Sequence, residues 1–530
     1  MEKAQTQPRA DSERSRLRNY RPALLVALLL PLYLAGGYGG IRSPDAELLF
    51  RTARSLSRLE VPAVAEPLSG WPEFGLAPGV DGRYYAIFGP LQPLLAAGLV
   101  GLNHLLVELA GCRPQPWLGP SHYLPGGMAA FLKGEAAAPC RPHAERFAAT
   151  WFNALVTALA SLLVLLLGRQ LGLVPPAAWL AGLLFGLATP AWAYAGTFFA
   201  EPLADLGLLL CLWLLLREAA RARRQGRVRP LPALLAGAAL GLAGTAHLSA
   251  WLQVPFLAGL AVVELRPLGR RAWPGLGLAA AAALLVVLVL GLYNWARFGD
   301  WLETGRSAAG GLYLANPYSG PGNFWRGLWG LLGGAGKGLL WYCPLAVAGL
   351  ACWPRLLRRS RSLGWWLLAA MLFRLLLLAG RYEWHGGFCL GPRHLYPLFA
   401  MLALACGCWL SDQLQAGSLR RLRLAAAAGL LLAAQQLYFA LGEVFSLLHA
   451  LRAGQAARGI DVFAGDHLYL DWQYSPLWRL AGWRPAPFWL HGGDWPVLFH
   501  LAWLLPLLAL LWTLCWWPLL RRARPGKEPA

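Results

Sequence analysis

The sequence predicts an all-α polytopic membrane protein, and three observations carry that prediction. Of 530 residues, 57% are hydrophobic and only 14% charged, with a mean hydropathy of +0.45, which lies outside the usual range of soluble globular chains. Apolar runs near the ~20 residues needed to cross a bilayer recur along the chain. The arginines gather in short segments between these runs. The net charge of +21 therefore reads as orientation in a membrane and not as a nucleic-acid footprint. The 27 tryptophans suit both interfacial anchoring and the lining of a site.

Residues 1–22 hold six lysines or arginines and read as a cytoplasmic tail. The run at 23–40 is the first span. It follows a basic tail without a small-residue cleavage site, so it reads as a retained helix and not a signal peptide. The segment from 41 to about 146 then lies on the outer side. It opens with Asp45 to Glu60, where Leu48, Leu49, Ala53, Leu56 and Leu59 recur at helical spacing. That pattern predicts an amphipathic helix along the membrane interface.

The next apolar stretch, 85–111, decides the topology. If it crosses, the six arginines of 217–230, with Arg266, Arg270, Arg271, Arg355, Arg358, Arg359 and Arg361, all face outward. If it does not, all face inward, as the positive-inside rule prefers. The stretch is therefore read as interfacial or re-entrant helices broken by Gly89, Pro90 and Pro93. The other spans are expected at 147–168, 177–196, 202–216, 232–247, 249–265, 274–295, 339–354, 363–380, 395–411, 424–442 and 496–518, which makes about twelve with both termini inside. The expected organisation is a tail at 1–22, a transmembrane catalytic module at 23–442, an outer loop at 443–495, the last span at 496–518 and a tail at 519–530. Within the module, the outer loops are 41–146, 297–338 and 381–394. Cys112 and Cys140 fall in the first of these, where the outer compartment permits a disulfide.

No glycine-rich nucleotide loop occurs, which argues against a nucleotide sugar as donor and against an ATP-driven pump. The unusual polar residues cluster at the expected outer ends of spans. Asp45 and Glu47 head the first outer loop. On a helix, residues two apart point to different faces, so one ligand does not engage both, and Glu47 is the weaker candidate. Glu201 stands before Pro202 at the start of a span, where the helix dipole alone would favour an acid. His247 tops a hairpin at the same level and reads as a hydrogen-bonded structural histidine or a phosphate contact. Lys337, one of four lysines, lies between Gly336 and Gly338, which let backbone approach a ligand. It too has a bland reading, as an interfacial lysine whose ammonium reaches for water. The turn from Arg381 to Pro397 carries Tyr382, Glu383, Trp384 and His385, then Arg393 at the head of a span. An arginine there suits a bidentate phosphate clamp, and the aromatics suit a sugar face. Arg374 stands mid-span with no partner assigned from the sequence.

Taken together, these stretches resemble the GT-C class of integral membrane glycosyltransferases. They are similar to its bacterial branch, related to protein O-mannosyltransferases and lipid A aminoarabinose transferases. The matches are Ser43-Pro44-Asp45-Ala46-Glu47, Phe199-Ala200-Glu201-Pro202, Tyr293-Asn294 with Arg297-Phe298-Gly299 and Gly305, Gly336-Lys337-Gly338-Leu339 with Pro344, and Trp384-His385-Gly386-Gly387 with Gly391-Pro392-Arg393. They occur in family order. Many members have adjacent acids in the first loop, whereas Ala46 intervenes in this chain.

The resemblance implies a polyprenyl-phosphate sugar donor and transfer on the outer face to a lipid, glycan or protein acceptor. It puts Asp45 in the role of base or metal ligand, with Glu201 or Glu47 as second acid. Any divalent metal would sit on Asp45 and Glu201. Arg393, Lys337 and His247 are the expected donor-phosphate contacts, and Tyr382, Glu383, Trp384 and His385 the expected sugar or acceptor contacts. Membrane lipids are partners and nucleic acid is not. The expected location is a bacterial cytoplasmic membrane with the site on its outer face. The alternatives are a lipid-linked oligosaccharide polymerase or ligase, which needs no first-loop acid, and a lipid or solute transporter. The latter would favour internal repeats and midplane charges.

Overall fold

The computed structural model describes residues 22–69, 74–113, 121–127, 129, 139–306, 321–460, 466–490 and 495–522. Most of both basic tails expected at 1–22 and 519–530, and part of the loop expected at 297–338, lie outside them. The chain folds as an all-α membrane bundle. The longer helices are α1 (Pro22–Ala35), α2 (Pro44–Ser57), α3 (Leu91–Ala110), α4 (Phe152–Gln170), α5 (Pro175–Leu187), α6 (Glu201–Gln225), α7 (Pro230–Ala246), α8 (Val254–Leu265), α9 (Trp273–Phe298), α10 (Pro321–Gly333), α11 (Leu345–Arg359), α12 (Arg361–Ala379), α13 (Tyr396–Gln415), α14 (Leu419–Leu441), α15 (Val444–Ala456) and α16 (Val497–Arg522). A two-stranded antiparallel hairpin, β1 (Leu76–Pro78) and β2 (Tyr84–Ala86), lies in the first outer loop.

Each of the twelve expected spans contains a helix, but among the described residues length and composition qualify seven helical segments to cross a membrane on their own. One of the seven, α3, lies outside the twelve. Residues 91–110 form one unbroken helix and not the broken set expected over 85–111. Pro93 does not interrupt it because it sits in the first turn, where an N–H has no helical acceptor. The near half of α3 packs along α2. Gln92 Nε2 donates to the Phe198 carbonyl at 3.0 Å, and Asn103 Nδ2 donates to the Ala144 and Glu145 carbonyls at 2.9 and 2.8 Å. Just beyond its far end, Cys112 is disulfide-bonded to Cys140. A disulfide belongs in an oxidising compartment, in keeping with the outer side expected for this loop.

Helix α2 starts as the sequence expects. The Ser43 hydroxyl accepts from the Ala46 amide at 3.2 Å, Pro44 opens the first turn, and Asp45 and Glu47 lie at the positive end of the dipole. It ends earlier than expected, at Ser57. Leu59 takes a left-handed φ of 58° and is 96% exposed, so it leaves the apolar stripe. The Glu60 amide donates back to the Ser55 carbonyl at 3.0 Å and closes the end.

In the bundle, helices approach through small residues, as they must where lipid offers no hydrophobic drive between them. At Gly237 a Cβ would lie 1.9 Å from the Ala279 carbonyl oxygen, so α7 and α9 touch backbone to backbone there. At the ends of the bundle expected to face inward, scarce acids hold arginines from neighbouring segments. Arg223 reaches Glu264 at 2.7 Å, Arg229 reaches Glu218 at 3.0 Å, and Arg359 reaches Asp412 at 2.7 Å.

A buried ion cluster braces the outer loop. Glu47 is fully buried and accepts from Arg51 Nε at 2.8 Å, Arg146 Nη2 at 2.6 Å and Ser121 Oγ at 3.2 Å. Arg51 also donates to the Glu66 and Pro67 carbonyls at 2.5 and 3.1 Å. Ser121 and Arg146 thus converge on the one carboxylate of α2, and Arg51 ties the 66–67 segment to the same cluster. A second polar set, Tyr123 with His449 at 2.9 Å and His122 with Ser446 at 2.9 Å, ties this loop to α15.

Burial alone would raise the Glu47 pKa, but Arg146 and Arg51 outweigh it and hold it near about 2. A carboxyl depressed on folding contributes stability above its unfolded pKa and loses it as pH falls through the folded value. Acid unfolding monitored between about pH 4.5 and 2 should therefore be shallower in Glu47→Gln. That variant should also lose about 3–5 kcal/mol at neutral pH, because two buried guanidiniums are left without their counter-charge. A wild-type stability at neutral pH would remove the cluster from this bracing role.

Candidate active site

The fold gathers the heads of α2, α6 and α13 at one corner at an end of the bundle. Asp45 comes from the first turn of α2 and Glu201 from the first residue of α6. Arg393, just before α13, lies between them. Its Nη1 is 2.7 Å from Asp45 Oδ2, and its Nε is 3.4 Å from Glu201 Oε1. The guanidinium also stacks over the Phe199 ring at 4.7 Å. Two carboxylates from sequence-distant helices therefore share one cation. The Asp45 side chain keeps 16% of its surface accessible and Glu201 only 4%, so Asp45 is the member an incoming ligand can reach.

Two histidines complete the corner. His247 Nε2 is 3.6 Å and His394 Nδ1 3.7 Å from the same oxygen, Glu201 Oε1. One ligand atom from each of Glu201, His247 and His394 falls within 4.8 Å of the others, a spacing that suits a metal ion. His247 is held at the neutral end of its titration. Burial first, and then the Arg393 and Arg374 charges, pull its pKa down to about 3.

Glu47, the second acid of the first loop, points away into the ion cluster with Arg51 and Arg146. The difference of face between positions two apart on a helix accounts for the separation. Lys337 is fully buried, and its ammonium donates to the Gly387 and Cys389 carbonyls at 2.8 and 2.7 Å. It ties down the 381–394 turn instead of facing the carboxylates. In that turn Gly386 and Gly387 take φ of 69° and 74°, a backbone that favours glycine. A Cβ at Gly386 would press on Arg393 Nε at 3.1 Å, so the glycine gives the guanidinium its room.

Trp384 and His385 are buried and serve the turn. Trp384 Nε1 donates to Asp466 at 3.1 Å, and the His385 ring stacks on Tyr469 at 4.1 Å. Tyr382 and Glu383 remain on the surface of the turn. Sequence reasoning missed His394, although it follows Arg393 directly, and it missed the partners of Arg374. Those are Ser249 and the His394 carbonyl. Nothing in sequence spacing links α12 to a serine 125 positions away.

No protein-family model and no curated protein matches the chain. Among solved structures it is similar to the archaeal oligosaccharyltransferase AglB from Archaeoglobus fulgidus in complex with an inhibitory peptide and a dolichol-phosphate. That match has a TM-score of 0.44 and 13% identity, and covers 87% of this chain and 60% of that one. It is also similar to ArnT from Cupriavidus metallidurans bound to undecaprenyl phosphate, with a TM-score of 0.42, 14% identity, and 94% and 77% of the two chains covered. Both are GT-C class membrane glycosyltransferases. At TM-scores below 0.5 these likenesses carry no assignment of activity, which has to come from the side chains.

The geometry separates two roles for Lys337. As the tie of the turn, its loss in Lys337→Met should cost about 2–3 kcal/mol of stability and open the 381–394 segment to proteolysis. A variant that keeps wild-type thermal stability and protease resistance but loses donor affinity would return Lys337 to the phosphate site.

Proposed function

We propose that this protein is a membrane glycosyltransferase that moves a sugar from a polyprenyl-phosphate donor to an acceptor hydroxyl on the outer face of the membrane. The observation that carries this reading is Arg393 held between Asp45 and Glu201 where the heads of α2, α6 and α13 meet. Beside that corner, a mostly apolar cleft between α6, α8, α12 and α13 is lined by Leu208, Phe256, Leu257, Met371 and Met401, with Asp205 and Gln253 as its polar members. An apolar cleft next to a cationic head suits a lipid phosphate, whose chain and charge need opposite surroundings.

The reaction follows from these groups. The acceptor oxygen attacks the anomeric carbon, the bond from that carbon to the phosphate oxygen breaks, and its electron pair stays on the phosphate. Arg393 is the group to receive that charge. In moving to the phosphate it gives up Asp45, and the released carboxylate takes the acceptor proton. Donor binding thereby unmasks the base. Glu201 keeps Arg393 charged and oriented, and His247 offers a further hydrogen bond to the developing anion. In this reading the transmembrane module is 23–442, the outer loops present the acceptor, and the compartment is the one outside a bacterial cytoplasmic membrane.

A second reading puts a divalent ion on Glu201, His247 and His394, favoured by their spacing. The hydrogen bonds of His247 speak against it, and no step is routed through such an ion.

The test is purified protein in lipid, incubated with a panel of polyprenyl-phosphate sugars and followed for sugar release or transfer. Asp45→Asn should lower turnover by about 10²–10⁴-fold while the variant inserts and folds. Arg393→Ala should chiefly raise the donor KM and lower kcat. No hydrolysis or transfer with any donor would overturn the reading in favour of transport.

A further inference from the structure

Arg374 lies in the apolar helix α12 and is 1% exposed. Every nitrogen of its guanidinium donates a hydrogen bond. Nε reaches the His394 carbonyl at 2.5 Å, Nη1 the Ser249 carbonyl at 2.8 Å, and Nη2 the Ser249 hydroxyl oxygen at 2.6 Å. An arginine this deep is expensive unless fully bonded, so its placement points to a task. Both residues it holds belong to the active corner, since Ser249 contacts His247 and His394 faces Glu201.

The direction of each hydrogen bond decides the state of His247. The Ser249 backbone N–H donates to His247 Nδ1 at 3.3 Å, and a backbone N–H can only donate. The Ser249 hydroxyl oxygen accepts from Arg374, which also can only donate, so its own proton is free to point along the 2.7 Å contact to the same Nδ1. Nδ1 is thus an acceptor. In a neutral imidazole the single ring proton then sits on Nε2. Nε2 is the atom 3.6 Å from Glu201 Oε1, a buried carboxylate oxygen with no hydrogen bond among the described residues.

We infer that Arg374 and Ser249 are positioning residues that lock His247 as its Nε2–H tautomer, which makes it a hydrogen-bond donor into the carboxylate corner and unsuits it as a metal ligand. A metal on Nε2 needs that lone pair, and the proton would have to move to Nδ1. There it would face the Ser249 N–H, donor against donor. The spacing of Glu201, His247 and His394 therefore fits an ion while the hydrogen bonding does not. The same lock aims the donor at any anionic oxygen that enters beside Glu201, which deepens the transferase reading. The tautomer itself rests on no substrate and stands or falls separately.

The test is solid-state NMR of full-length protein in lipid with ¹⁵N-labelled histidine, the His247 signal being identified as the one missing from His247→Gln. A protonated Nε2 with a bare Nδ1 is expected, and a protonated Nδ1 would overturn the inference. Ser249→Ala removes the hydroxyl but keeps the backbone N–H that donates to Nδ1, so the Nε2–H tautomer should persist. A proton found on Nδ1 in that variant would overturn the assignment of the lock to the backbone N–H. Two measurements remain decisive should these variants fold poorly. Wild-type protein incubated with Zn²⁺ and washed should keep no equimolar zinc, whereas one zinc per chain that moves histidine signals would overturn the inference. Once a turnover assay is in hand, His247→Gln, whose amide NH₂ reaches the Nε2 position, should stay within about tenfold of wild type. His247→Asn, whose amide reaches only the Nδ1 position, should lose about 10²–10³-fold. Equal activities of the two would count against a Nε2–H donor.

Discussion

The guanidinium of Arg393 is shared by two carboxylates, Asp45 at 2.7 Å and Glu201 at 3.4 Å, that reach it from helices far apart in sequence. In an apolar bundle none of these three charges is tolerable alone. Their mutual need fixes how the heads of α2, α6 and α13 meet. It also leaves the corner poised. In the proposed reaction an arriving phosphate would compete with Asp45 for the same cation, so the group that binds the donor would control the group that acts on the acceptor.

Around that corner the other buried charges are committed to holding geometry. Glu47 gathers Arg51 and Arg146 and so fixes α2 at the angle that presents Asp45. Lys337 pins the turn that delivers Arg393, through the Gly387 and Cys389 carbonyls. Arg374 pins Ser249 and His394 from below. Each of these cations is satisfied by several acceptors, which is what keeps a polar network from being a liability in an apolar interior. The pairs of Arg223, Arg229 and Arg359 with Glu264, Glu218 and Asp412 keep their guanidiniums partly in solvent and contribute less.

The neutrality of His247 follows from the same crowding. Burial and two nearby guanidiniums disfavour a third positive charge. A neutral ring can still donate, and the Ser249 amide decides from which nitrogen. The corner thus combines one shared cation, one accessible carboxylate and one buried histidine.

Much of this was legible in the chain itself. Hydropathy and arginine clustering determine an all-α membrane bundle, since only helices satisfy their own backbone in lipid. The helical spacing from Asp45 onward places the start of α2 to within a residue, and the rarity of polar residues in so greasy a chain singles out Asp45, Glu201, His247 and Arg393. The period of a helix even separates Asp45 from Glu47. What only the tertiary structure decided is partnership. Lys337 and Arg393 look alike in sequence, a lone cation at the head of a span. One meets backbone carbonyls and the other two carboxylates, because the turn at 381–394 folds back over both. Arg374 has no partner within helical reach along its own segment, and its acceptors lie on two other segments. Local periodicity encodes which face of a helix a residue occupies, whereas hydrogen bonds across a bundle depend on which faces are packed together, and that is settled by the whole core at once.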